Sequence, residues 1–443
     1  MTTLHDRLAE LADDAPPGGP APELWARGRR YHRVRRAGTL AIVSAAVLVL
    51  VAITGLSWQQ SGGLPEPAAP PGATRALPDR LWTPSPWLPG TDEDGPLGDL
   101  AVVMRSDRSS WSGTEQGLVG VSATTGEYRF LDLPDQAPGD VALSPDGRKV
   151  AYWLTGTTSG SPSDTGPVTG VAVYDATTGD VKRADISTEH GLDASALLWA
   201  DDGELVLSYG QYRGGEGDDP MQQSSATPSE HYWWRLDQDR PQELPMPEGT
   251  RRADLVGASG GRVVLTDSTR YWCYYLDQPG FAWPMLGEAG LAMSTQPVFL
   301  TTSRFAVVRG SWNPNSILVG DASLRGGART HTVPDSQGTY EILGWDGDRL
   351  IVERGTDGSR RAYVNASVFR VDSRTGRSVE LVRLASAEQI RQVQVASDLY
   401  DVPTVAGKEP PTPFDPRAVT GGLALVAVLG AGAVVVWRRR VEA

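Results

Sequence analysis

Cysteine is nearly absent from the 443 residues, with Cys273 standing alone, so no intramolecular disulfide forms and a thiolate metal cluster is excluded. Lysine is almost missing too. Three of the 41 basic residues are lysine and the rest arginine, a skew that reads as GC-rich coding. The five histidines (His5, His32, His190, His231, His331) are scattered, and no pair has the spacing of a metal site. Positive charge is short overall, with a net charge of −13. Seven Arg against five carboxylates in residues 1–36, and three Arg against Glu442 at the far end, leave −17 for residues 37–437. An acidic body of that kind argues against nucleic-acid binding. What is abundant is Gly (50), Pro (33) and Trp (14), a composition of strands and turns around an aromatic-rich core.

Two long runs carry no charge. Residues 37–58, "AGTLAIVSAAVLVLVAITGLSW", and 418–437, "AVTGGLALVAVLGAGAVVVW", each reach the roughly 20 residues that cross a bilayer. The first exceeds the apolar region of a cleaved signal and reads as an uncleaved anchor. Arginines precede the first run (residues 27–36) and follow the second (Arg438–Arg440), so the positive-inside rule places both termini in the cytoplasm. The expected order is a cytoplasmic segment (1–36), a span (37–58), a Pro/Gly-rich stalk (59–79), an extracytoplasmic body (80–400), a second stalk (401–417), a second span (418–437) and a basic tail (438–443). Within the first segment, Leu4, Leu8 and Leu11 lie on one helical face behind a Thr3/Asp6 capping box, a short element suited to a cytoplasmic protein partner at residues 1–30.

The stretch "LSPDGRKVAY" (143–152) holds a turn between two apolar runs, and the turn recurs. Gly98, Gly147, Gly203, Gly261, Ser303 and Gly347 follow at intervals of 49, 56, 58, 42 and 44 residues. A second turn, Thr-Gly at Gly126, Gly179 and Gly376, falls 28, 32 and 29 residues behind the first. Two hairpins per unit make four strands, and four-stranded units repeating at this period are blades of a β-propeller. Six units follow: 80–133, 139–187, 195–246, 252–286, 296–334 and 339–386; the weak first and fifth leave five or seven open. The fold class is therefore all-β, a six-bladed propeller between two transmembrane helices, with Gly98, Gly147, Gly203, Gly261 and Gly347 as its structural turns.

"LSPDGRKVAY" followed by "VAVYDATTG" (171–179) resembles the repeat of TolB-type propeller domains. As a whole the chain is similar to actinobacterial membrane-anchored propeller proteins of undefined role. The resemblance implies a six-bladed domain that binds proteins, or one that caps the catalytic domain of a prolyl-oligopeptidase relative.

Chemistry-bearing motifs are sparse. "GASGG" (257–261) satisfies the G-x-S-x-G nucleophile pattern around Ser259, but a β-rich run follows it instead of the helix a nucleophile elbow needs. Cys273, inside "RYWCYYL", reads as a buried small hydrophobe. The acidic stretches "TDEDG" (91–95) and "GEGDDP" (215–220) lack the ligand spacing of a Ca²⁺ loop. Aromatics gather at Trp233, Trp234, Tyr271, Trp272, Tyr274 and Tyr275; packing between blades is one reading, and a surface for a glycan or peptide the other. The long loops 155–169 and 211–230 are further candidates. The expectation is a non-enzymatic module without cofactor or metal, held at the cell membrane by two spans, binding an unknown protein or cell-envelope ligand. Its alternative is a sensory ectodomain that signals through residues 1–30, with a hydrolase a lesser third.

Overall fold

The computed structural model describes residues 74–442, together with Asp13, apart from 163–165, 215–225, 247–252, 268–270, 278–282, 287–297, 302–303, 310–315, 322–329, 356–365, 386–389 and 414. The chain divides into two units, Pro65–Pro413 and the pair Met1–Leu64 with Phe414–Ala443. The amphipathic segment at residues 4–11, the expected span 37–58 and most of the first stalk lie outside the described residues.

The larger unit is all-β. It opens with β1 (Leu77–Pro78) and β2 (Arg80–Leu81), followed by a one-turn helix α1 (Thr91–Asp94) over the "TDEDG" stretch. Strands β3 (Leu100–Ser110), β4 (Gly113–Ser122) and β5 (Tyr128–Phe130) begin the first sheet. The second sheet holds β6 (Gln136–Leu143), β7 (Lys149–Thr155), β8 (Val168–Asp175) and β9 (Val181–Asp185). The third holds β10 (Leu192–Asp201), β11 (Glu204–Gln211), β12 (Glu230–Arg235) and β13 (Gln242–Glu243). One residue pair, Leu192↔Val168, joins these two into a single eight-stranded sheet. The fourth contains β14 (Asp254–Ser259), β15 (Arg262–Thr266), β16 (Tyr271–Tyr275) and β17 (Trp283–Leu286), and the fifth β18 (Val298–Leu300), β19 (Arg304–Arg309), β20 (Ser316–Asp321) and β21 (Thr330–Thr332). The sixth contains β22 (Thr339–Asp346), β23 (Arg349–Gly355), β24 (Ala366–Asp372) and β25 (Ser378–Leu384), with β2 added in parallel at its outer edge. Strand β26 (Arg391–Val395) then pairs antiparallel with β3 and completes the first sheet as its first strand. Last, β27 (Thr404–Val405) pairs in parallel with β1.

The turn glycines fall where chain reversal is sharpest. Gly147 joins β6 to β7 at φ +75°, and Gly261 and Gly347 occupy the matching turns at +67° and +57°. Only glycine takes that region without steric cost. Gly203 joins β10 to β11 without a positive φ. Gly98 differs from expectation: it precedes β3, but no first strand lies before it, because residues 391–395 supply that strand from the other end of the chain. The stalk boundaries also shift. Leu77 is buried within the core and pairs with Thr404, so residues 77–79 and 404–405 are folded structure rather than linker.

Alternating strands bury both faces, and the core resolves into six hydrophobic clusters. Val103 and Tyr152 meet between sheets one and two, and Trp153 and Leu207 between two and three. Val206 and Val263 join three to four, Val264 and Phe305 four to five, and Val308 and Leu350 five to six. The sixth cluster joins Ile351 and Val368 of the last sheet to Met104 and Val119 of the first. Each sheet thus packs on two neighbours in cyclic order.

Among the described residues of the smaller unit, α2 (Pro416–Glu442) is a helix of 27 residues, about 40 Å long. Among the described residues no helix is long and apolar enough to cross a membrane. The side chains of Leu423, Leu425, Val426 and Ala427 within α2 lie outside the described residues.

Candidate functional site

The first strands of five sheets wall a cavity of about 450 Å³. Leu143, Leu197, Trp199, Ile342 and Trp345 give it apolar walls, and Ser259, Asp201, Glu341, Gln394 and Asp398 give it polar groups. Two side chains fix the wall by crossing between sheets. Gln394 on β26 donates from Nε2 to the Val141 carbonyl (2.6 Å) and accepts the Leu143 amide at Oε1 (2.7 Å), stitching the first sheet to the second. Trp199 on β10 donates from Nε1 to the Ala142 carbonyl at 2.9 Å, stitching the second to the third.

Three carboxylates, Glu341, Asp201 and Asp398, bring negative charge to the lining. Glu341 is exposed and lines the cavity. Burial raises its pKa, helped by the charge of Asp140. Glu353 lies directly opposite it on β23 and is 7% exposed; burial, then the Glu341 charge, pushes its carboxyl up to about 7. Asp398 is raised by burial and by Asp146 and Asp401 against the pull of Arg75. A cavity with apolar walls and three carboxylates in its lining favours a ligand that brings positive charge.

The aromatic surface expected at Trp233, Trp234, Tyr271, Trp272, Tyr274 and Tyr275 does not form. Trp234, Tyr271 and Tyr274 are buried, and Trp233 and Trp272 pack against the cluster between sheets three and four. Trp234 belongs to the cluster between sheets two and three, and its indole donates to the Gln238 carbonyl at 3.1 Å. Tyr275 is half-buried beneath the Arg262 guanidinium, 5.7 Å from its ring centre. These rings hold sheets together. Of the candidate loops, 163–165 and 215–225, with the "GEGDDP" stretch, lie outside the described residues.

Ser259 ends β14 and is followed by a two-glycine turn into β15, a hairpin, and it lines the cavity. Each described histidine uses a ring nitrogen on a backbone carbonyl: His190 on Ser161, His231 on Ala253 and His331 on Ser373. His231 is 2% exposed, and burial lowers its pKa. Cys273 is buried, and burial raises its thiol to about 11. Among the described residues no group of His, Cys, Asp and Glu is arranged to hold a metal ion. Sequence reasoning missed the cavity, because each strand contributes only a few residues to it and no local motif marks them.

No family model matches the chain, and no curated protein matches it. Solved structures to which it is similar include TolB from Acinetobacter baumannii, a β-propeller, at 13% identity and TM-score 0.41 over 69% of each chain. Another is an uncharacterized protein from Listeria monocytogenes EGD-e, at 7% identity and TM-score 0.41 over 77% of this chain and 99% of that one. A prolyl endopeptidase is similar at 16% identity and TM-score 0.39 over 64% of this chain and 41% of that one. At these scores none of them bears on activity or ligand.

Proposed function

We propose that residues 74–413 are a six-bladed β-propeller of the TolB type, closed by the C-terminal strand, and that it serves as a non-enzymatic binding module tethered to a membrane. Its cavity takes a cationic group of a protein or cell-envelope ligand. The observation that carries this reading is the cavity walled by first strands, with Glu341, Asp201 and Asp398 in its lining. The cyclic order of six hydrophobic clusters supports the ring. The hairpin context of Ser259 and the histidines committed to carbonyls favour binding over hydrolysis. Tethering is supported by α2, whose residues 418–437 carry no charge and precede three arginines.

The test uses the full chain purified in a neutral detergent and titrated with hexalysine and hexaglutamate. Hexalysine binds, more weakly as salt rises, and Glu341→Gln with Asp398→Asn weakens it at least about fivefold. No binding of hexalysine, or equal binding by the double variant, overturns the cavity reading. Tethering is tested separately: the chain stays with membranes through alkaline carbonate extraction, and its release would overturn that part.

A further inference from the structure

A second cavity of about 380 Å³ lies where the two ends of the body meet, lined by Asp79, Arg80, Trp82, Glu380, Arg383 and Gly407 among others. Its polar groups are unequally used. Arg383 binds Glu380 through Nη2 at 2.7 Å and Nε at 3.3 Å, which holds the Glu380 carboxyl below its usual range. Asp79 accepts the Gly407 amide at Oδ1, and the Trp82 indole donates to the Gly407 carbonyl. Arg80 is the exception. Its guanidinium lies 4.9 Å from the centre of the Trp82 ring and, among the described residues, makes no hydrogen bond or ion pair. Strand pairing sets Arg80 directly beside Arg383, so two guanidinium groups share one face of the sheet; Arg383 holds Glu380 by hydrogen bonds, and Arg80 acts on the same carboxylate through its charge alone.

We propose that this groove binds the phosphate of an anionic phospholipid headgroup through Arg80. A stacked guanidinium keeps its fork of N–H donors in one plane, the geometry that grips phosphate with two bonds. Arginine beside tryptophan is the composition of a membrane–water interface. The lining residue Gly407 is also nine residues before Pro416, where α2 begins. The lipid source rests on the tethering reading, which carbonate extraction tests without reference to Arg80, so the two can fail separately.

The full chain in neutral detergent is titrated with dihexanoyl phosphatidylglycerol, dihexanoyl phosphatidylcholine and inorganic phosphate. The proposal expects the anionic lipid to bind at least about tenfold tighter than the other two, and Arg80→Gln to erase that preference while Arg80→Lys keeps part of it. On the unmutated chain, the anionic lipid slows modification of Arg80 by phenylglyoxal, read by mass spectrometry, which covers the case of a variant that does not fold. Equal binding by Arg80→Gln, unslowed modification, equal binding of the zwitterionic lipid, or inorganic phosphate binding as tightly as the lipid each overturns the proposal.

Discussion

Gln394 and Val141 are 253 residues apart in the chain, and a 2.6 Å hydrogen bond joins the side-chain amide of one to the carbonyl of the other. The same side chain accepts the Leu143 amide, so one residue of the C-terminal strand meets two backbone groups of β6. Removing it leaves both groups short of a partner in a partly buried wall. Gln394→Ala is expected to cost about 1–3 kcal/mol and to lower the Tm. Gln394→Glu keeps the acceptor for Leu143 and loses the donor for Val141. Calorimetry on both variants checks this; a melting profile like that of the parent would refute it.

Two glycines in equivalent turns are expected to respond differently. A Cβ on Gly147 would lie 2.1 Å from the Leu100 carbonyl oxygen, on backbone held at φ +75°. At Gly203 a Cβ meets nothing within 4 Å and the φ is not positive. Gly147→Ala therefore destabilises by at least about 2 kcal/mol, while Gly203→Ala stays within about 0.5 kcal/mol. Comparing the two midpoints in urea decides it.

Glu353 gives the body a pH dependence of definite sign. Its folded pKa, about 7, lies above the ordinary carboxylate value, so the folded state holds the proton more tightly than the unfolded state. The stability it confers is present below about pH 4.5 and is lost as pH rises towards and through 7, by about 3 kcal/mol at most. Glu341, its cross-strand neighbour, is raised as well and titrates in the same direction. Glu353→Gln is expected to melt higher than the parent at pH 8 and close to it at pH 4. Equal shifts at the two pH values would rule this out.

The hairpin glycines were legible in the sequence because turn chemistry is local: Asp146–Gly147 and Asp346–Gly347 declare a reversal without help from the rest of the chain. The pairing of residues 391–395 with 102–105 was not, since it depends on where a strand ends up after five other sheets have formed. For that reason Gly98 was expected to sit in a hairpin whose first strand comes from elsewhere. The aromatics left two readings open, packing between blades and a surface for a ligand. Trp233 and Trp234 point to opposite faces of β12, which in an open sheet would expose one of them. Here both faces are covered, so both indoles pack against neighbouring sheets. The cavity had no signature at all, being assembled from single strands separated by about 50 to 80 residues.

Cys273 is expected to be silent. It is 3% exposed, and its thiol is raised to about 11, so little thiolate exists at neutral pH. A maleimide should label the native chain slowly and the urea-unfolded chain at once; rapid native labelling would show that sheet four opens.

Closing the first sheet with the C-terminal strand has the widest consequence. Strand β26 pairs with β3, and its Val393 and Val395, with Ala396, Leu399 and Tyr400 just beyond, belong to the cluster that includes Met104 and Val119 on one side and Val368 on the other. Tyr400 adds a hydrogen bond to the Leu343 carbonyl on β22 at 2.9 Å. Deleting residues 391–400 from the full chain would therefore uncover the first sheet and detach the sixth from it. Because each sheet leans on two neighbours, the loss should spread beyond the junction. The variant is expected to lose the single cooperative transition of the body and to be cut by trypsin within residues 75–133. Adding a peptide of residues 391–413 should restore part of the protection. If the deleted chain melts as the parent does and resists trypsin equally, the six sheets do not depend on this strand for closure, and the cyclic order of packing is not what holds the body together.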